Sequence, residues 1–204
     1  MKQVTGNNQS HNSKRLSIRL RSGGHSFSCD SLPRAAQNDD TDIEFTVITH
    51  KCTLVPAEAF EDSDAAEYLA IEGLACTKEE RPVCAADNDT IAVMAVDAAC
   101  ADTVACKFGR RASFTTPLLK RYSPHGKALH IYRADGVVFM KLYDDRTLKY
   151  AAAVRAADTD EVLYYAALVN ERFGLNDYII YISGDDSDTC RKVLRKYFTD
   201  VRCE

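Results

Sequence analysis

The loop Ser183-Gly184-Asp185-Asp186-Ser187-Asp188 gathers three carboxylates over a short span. Oxygen ligands so close together could hold a hard divalent cation such as magnesium. The plainer reading is a solvated loop in which Asp186 or Ser187 caps the helix that follows. A second chemical stretch is Arg110–Lys127, where Arg110, Arg111, Lys120, Arg121 and Lys127 are interleaved with Phe114 and Tyr122. Cations mixed with aromatics can hold phosphates and stack bases. The alternative is a connector whose aromatics anchor it to the core. His25 and His130 lie near two turns, but no serine or cysteine is tied to either by spacing. Both read as packed or strand-surface residues rather than as bases for a nucleophile.

Eight cysteines are spread through the chain without a Cys-x-x-Cys pair. A structural zinc site needs close pairs to aim two thiolates at one ion, so none is expected. Cys29 and Cys52 read as small buried hydrophobes. Cys100 and Cys106 fall on different faces of one helix and are assigned no role.

The elements that must position these groups follow from periodicity. Leu16, Ile18 and Leu20 alternate with polar residues, Ser22-Gly23-Gly24 makes a turn, and Phe27 and Cys29 continue the alternation, which predicts a hairpin over Leu16–Asp30. Ile43–Val55 resumes strand character and Pro56 stops it. Ala57–Ile71 reads as helix in two pieces, capped at Asp62 or Ser63 and lined by Ala66, Leu69 and Ala70. Gly73–Asp89, with Pro82 inside it, reads as irregular. Thr90–Val96 is an apolar run of strand length, and Asp97 caps a helix over Ala98–Phe108 that Gly109 ends.

A second set of elements begins at Ala128–Leu142. There Asp135-Gly136 between two apolar runs is a strong hairpin signal. Leu148–Val154 gives a third strand. Asp158 and Glu161 form a capping box for a helix with Val162, Tyr165, Val169 and Phe173 at helical spacing, ended by Gly174. Tyr178–Ile182 is a buried strand and Thr189–Phe198 the last helix. Each half reads strand-turn-strand, strand, helix, strand, helix.

The chain has 204 residues, 46% of them hydrophobic and 27% charged, which fits one large domain or two small lobes. Its net charge of -4 excludes nucleic-acid binding driven by bulk charge and leaves only a local patch open. The first fifteen residues are polar and lack the apolar core of a signal peptide. No run approaches the ~18 apolar residues of a membrane helix. A cytoplasmic protein with a disordered lead-in over residues 1–15 is expected.

The element order resembles that of the actin-like ATPase superfold, an α/β architecture of two ribonuclease-H-like lobes with mixed sheets flanked by helices. The chain is more closely similar to an uncharacterised Bacteroidetes family with that fold. LSIRL followed by SFSC, TLVPAEAF at Thr53–Phe60, and the second hairpin leading into YYAALVNERFGL carry the resemblance. It implies a first lobe over residues 16–109, a connector over 110–127 and a second lobe over 128–204. It also implies further chain beyond Glu204.

In an actin-like ATPase, both hairpin turns and the loop after the late strand hold nucleotide. Carried onto this sequence, the cofactor-binding positions are Ser22, Gly23 and Gly24, then Asp135 and Gly136, then Ser183 and Gly184. The first turn keeps its glycines but lacks the acid that anchors magnesium. The second has what a tight hairpin needs and little more. The third is followed by Asp185, Asp186 and Asp188, which repel phosphates. The expectation is therefore a non-catalytic interaction or scaffold protein, a pseudo-ATPase with no cofactor, no metal and no catalytic residue, whose partner is another protein rather than a membrane or a nucleic acid. Two alternatives remain. One is a nucleotide-binding protein or ATP-dependent phosphotransferase using the cleft between lobes, with Asp135 essential. The other is a nucleic-acid module using Arg110–Lys127.

Overall fold

In the second half of the chain, one central strand turns Leu129 and Ile131 to one face and His130 and Tyr132 to the other, so both of its faces are covered. The computed structural model describes residues 14–21, 41–122 and 126–204. That central strand is β7, Lys127–Ala134, in a five-stranded mixed sheet ordered β11-β10-β7-β8-β9. Strands β8 (Val137–Asp144) and β9 (Thr147–Arg155) continue it as an antiparallel meander, with a bulge at Leu142/Tyr143. Strands β10 (Ile179–Gly184) and β11 (Val201–Cys203) add on the other side in parallel, with Ile182 opposite Ile131. Leu129, Ile131, Met140, Leu142, Ile180 and Ile182 face helices α3 (Thr159–Phe173) and α4 (Ser187–Leu194) and are almost wholly buried.

Helix α3 starts where the capping box places it. The Asp158 carboxylate accepts from the Asp160 and Glu161 N–H groups at 3.0 and 2.9 Å, and Glu161 accepts from the Ala157 N–H at 2.6 Å. Gly174, at φ 66°, ends it. Replacing Asp158 with alanine strands two N–H groups and is expected to cost about 1 kcal/mol, read as a lower urea midpoint.

The first half differs from the expected copy of this order. Strand β1 (Lys14–Arg21) starts inside the expected lead-in and pairs in parallel with β2 (Thr41–Ile48), which pairs in parallel with β6 (Ala112–Thr115). The second arm of the predicted Leu16–Asp30 hairpin lies outside the described residues. The predicted strand Ile43–Val55 is two strands. Thr49-His50-Lys51 turn the chain, with the Lys51 N–H donating to the Thr49 hydroxyl at 3.1 Å, and β3 (Cys52–Pro56) enters a separate sheet.

That second sheet is antiparallel, ordered β3-β5-β4, with β4 at Glu80–Asp87 and β5 at Thr90–Asp97. The stretch read as irregular is thus a strand. Pro82 is tolerated because β4 lies at the sheet edge, where one side needs no ladder donor. Helix α1 is short, Ala65–Ile71, and buries Ala65 and Leu69 rather than Ala66 and Ala70. Helix α2, Ala98–Phe108, is capped by Asp97, whose carboxylate accepts from the Cys100 N–H at 2.8 Å.

A shared core joins the two halves. Val47, Ile48, Met94 and Leu118 pack with Ala134, Val137 and Phe139 on the face of the five-stranded sheet opposite its helices. Cys52 is buried there, and burial pushes its thiol up to about 12, which keeps it protonated. No helix among the described residues is long and apolar enough to cross a membrane.

Candidate functional site

Three chain segments meet at one end of the central strand: the end of β1, the β7–β8 turn, and the loop from β10 into α4. Asp135 and Gly136 sit at φ 51° and 75°, the positive pair that a two-residue type I′ turn requires. Gly184 lies opposite Arg133 in register, at φ 89°. A Cβ there would stand 2.0 Å from the Arg133 carbonyl oxygen, so only glycine lets β10 come this close. The next N–H, that of Asp185, donates to the same oxygen at 2.8 Å. The structure therefore brings Asp135, Gly136, Ser183 and Gly184 together, while Ser22, Gly23, Gly24 and His25 lie outside the described residues.

Side chains of this chain crowd the end of the central strand where the β7–β8 turn and the late loop meet. An Asp185 carboxylate oxygen accepts from the Asp135 backbone N–H at 2.9 Å. Arg21 reaches Asp135 at 2.7 Å, and Arg19 lies 3.7 Å from Asp185 while donating to the Tyr132 hydroxyl at 2.9 Å. Arg133, almost fully buried, donates to Asp186 at 2.5 Å and to the Ala157 carbonyl at 2.6 Å. Three arginines thus face three aspartates, and every charge has an opposite neighbour.

The acidic loop is accounted for by the same pairing. Asp185 goes to Arg19, Asp186 to Arg133, and Asp188 to Arg191 at 3.3 Å. These carboxylates diverge toward separate cations instead of converging on one ion. Among the described residues no group of three His, Cys, Asp or Glu side chains is placed to hold a metal. Asp186 does occupy the N-cap position of α4, but at φ 53° and with no side-chain cap hydrogen bond. Arg19, Arg21 and Arg133 were not singled out from the sequence. The available signal was that Arg21 and Arg133 each stand just before a predicted turn, where their charges oppose the acids of the late loop.

The basic, aromatic-rich stretch is built into the fold. Arg121 grips Asp87 through two hydrogen bonds of 2.6 and 2.7 Å, and Arg111 donates to the Thr41 carbonyl at 3.2 Å. Phe114 packs on Phe45, ring centres 6.0 Å apart, as part of β6. Tyr122 lies flat on His130 at 3.7 Å, and Tyr181 stacks on the same imidazole at 4.9 Å. His130 is buried, and neither of its ring nitrogens has a hydrogen-bond partner. Glu204 lies 3.2 Å from Nδ1 without the alignment of a hydrogen bond. Burial, with Lys120 and Lys141 nearby, lowers the imidazole to about 4. Lys141, on the neighbouring strand and donating to the Lys120 carbonyl at 3.1 Å, is lowered by burial to about 8.

Comparison with known proteins adds the following. The model of the family described as "Protein of unknown function (DUF3822)" matches residues 37–201. No curated protein matches the sequence. A solved structure from Bacteroides thetaiotaomicron, described as a protein with actin-like ATPase fold and unknown function, is similar over 94% of this chain and 91% of its own, with a TM-score of 0.72 and 15% identity. The cytoplasmic domain of EpsL, from the type II secretion system of Vibrio cholerae, is more distant, at TM-score 0.43 and 12% identity over 83% of this chain and 81% of its own. A PilM–PilN type IV pilus biogenesis complex reaches 0.47 and 10% over 79% and 68%.

Proposed function

The chain belongs to the family described as "Protein of unknown function (DUF3822)" and has the actin-like ATPase fold, and from that premise we propose that it is a non-catalytic interaction or scaffold protein. The observation that carries this reading is the Asp185 carboxylate on the Asp135 N–H. Backbone N–H groups in such a turn are what a phosphate would bind. Here the donor already serves an anion of the chain itself, which is covalently attached and always present. A nucleotide would have to displace that carboxylate and break the Arg21–Asp135 and Arg19–Asp185 pairs in the same step.

Asp135 is also a poor candidate for the essential acid of a phosphotransferase, because its carboxylate is committed to Arg21. The Arg110–Lys127 stretch likewise commits its aromatics to packing on Phe45 and His130 and its Arg121 to Asp87, which favours a built-in connector over a nucleic-acid surface. Isothermal titration with ATP, ADP and Mg²⁺ tests the reading. No binding heat is expected at ligand concentrations up to about 1 mM, and micromolar affinity for either nucleotide would overturn it.

A further inference from the structure

The face of the five-stranded sheet that carries α3 and α4 ends in a groove of about 420 Å³ between α3 and the segment that follows α4. Asp160, Tyr164 and Asn170 form one wall, and Tyr197 and Phe198, just past the end of α4, form the other. Among the described residues the exposed large apolar side chains are Ile71, Leu148, Tyr164, Leu168 and Tyr197. Two of these five line the groove, and Leu168 sits one turn along α3 from Tyr164 on the same face. A solvated helix would carry polar residues at these positions. Clustered exposed apolar side chains with polar edges mark an interaction surface.

The charges around the groove say what covers it. Exposed Asp160 and Glu171 belong to α3, while exposed Lys192 and Lys196 belong to α4 and the turn after it. None of these four has an ion-pair partner among the described residues. A partner of one charge sign would satisfy one wall and be repelled by the other. A second copy turned through 180° sets the acidic helix of each chain against the basic helix of its mate, so both walls are satisfied twice. That is the self-complementarity an isologous twofold interface needs. The protruding tyrosines beside a hollow fit the same arrangement, since each copy supplies both the knob and the recess.

We propose that this chain forms a twofold homodimer through this groove, anchored by Tyr164 and Tyr197 and registered by Asp160 and Glu171 against Lys192 and Lys196 of the mate. The pairing uses a surface apart from the arginine–aspartate site and stands whether or not a nucleotide binds there.

Sedimentation equilibrium of the whole chain from about 1 to 100 µM tests it, with dimer dissociation expected on the order of micromolar. Y164E and Y197E are each expected to weaken the dimer at least ~30-fold, as interface anchors do. Both positions are exposed, and a circular-dichroism melt checks that the variants fold. Salt at about 0.5 M is expected to weaken the dimer severalfold. K196E alone is expected to dissociate it, and adding D160K in the same chain to restore it. A monomer at 100 µM, whatever other protein then fills the groove, overturns the proposal. So does a dimer indifferent to Y164E and Y197E, or a K196E monomer that D160K fails to rescue.

Discussion

Gly184→Ala is expected to destabilise the protein by at least about 3 kcal/mol, while Gly136→Ala one turn away costs about 1 kcal/mol. Both glycines have positive φ, so both replacements bear the strain of placing a Cβ in that region. They differ in what the Cβ meets. At Gly136 there is nothing within 4 Å, whereas at Gly184 the Arg133 carbonyl oxygen is 2.0 Å away. That oxygen is backbone and cannot rotate aside. It also accepts the Asp185 N–H, so moving it breaks the link between the late loop and the β7–β8 turn. Urea unfolding of the two variants beside the parent separates close approach from conformational strain. Equal losses would show that the contact carries no weight.

The second large effect is a loss of stability on mild acidification. His130 is held neutral in the folded protein at about 4, against about 6.5 for a free imidazole. Between those values the unfolded chain takes up a proton that the folded one refuses. The His130 contribution is constant above pH 6.5, is lost as pH drops from 6.5 toward 4, and levels off below that. The lost contribution amounts to at most about 3 kcal/mol, part of it screened by solvent.

The groups facing the ring explain the direction. Tyr122, Tyr143 and Tyr181 exclude water from it, and Lys120 and Lys141 oppose a second positive charge. The partly exposed Glu204 carboxylate pulls the other way but is screened by solvent. Glu80 and Asp87, lowered by Lys51 and Arg121 respectively, lose their own contributions as pH falls through and below the ordinary carboxylate range. The His130 step is therefore separable from them. His130→Phe keeps the stack on Tyr122 and removes its titration, so the variant is expected to fall less than the parent from pH 6.5 to 4.5, keeping only the part that the lowered, half-buried His50 contributes. Parallel profiles would refute the assignment.

How far the sequence carried depended on whether an element declares itself locally. The α3 capping box, the Asp97 cap of α2 and the Asp135-Gly136 turn were legible because each is a short-range hydrogen-bond or dihedral requirement written in adjacent residues. Strand β4 was not, since its Pro82 and charged start read as loop until the edge position that tolerates them is known. The β2–β3 break was missed because Thr49–Lys51 holds no glycine or proline, and the change of apolar parity from Val47 to Ile48 and Cys52 was the only mark of it. The residues of the site itself were half legible. Asp135, Gly136, Ser183 and Gly184 could be placed by the likeness of element order. The arginines that neutralise the acids could not, because Arg19 and Arg21 meet Asp185 and Asp135 only through the tertiary fold.

The three sheets that share the central core also set an order of assembly. Strands β7, β8 and β9 are joined by tight turns, so their pairing closes only short loops and can form early. Strand β2 must wait for β6, because β3, α1, β4, β5 and α2 all lie between Ile43 and its partner Ala112 in the chain. Such distant pairing is slow, since loop entropy is lost before any contact rewards it. The meander of the second half is then expected to form before the first half condenses on it. Until β6 arrives, β1 and β2 are expected to present apolar faces to solvent, and that interval is when the chain is most exposed to aggregation.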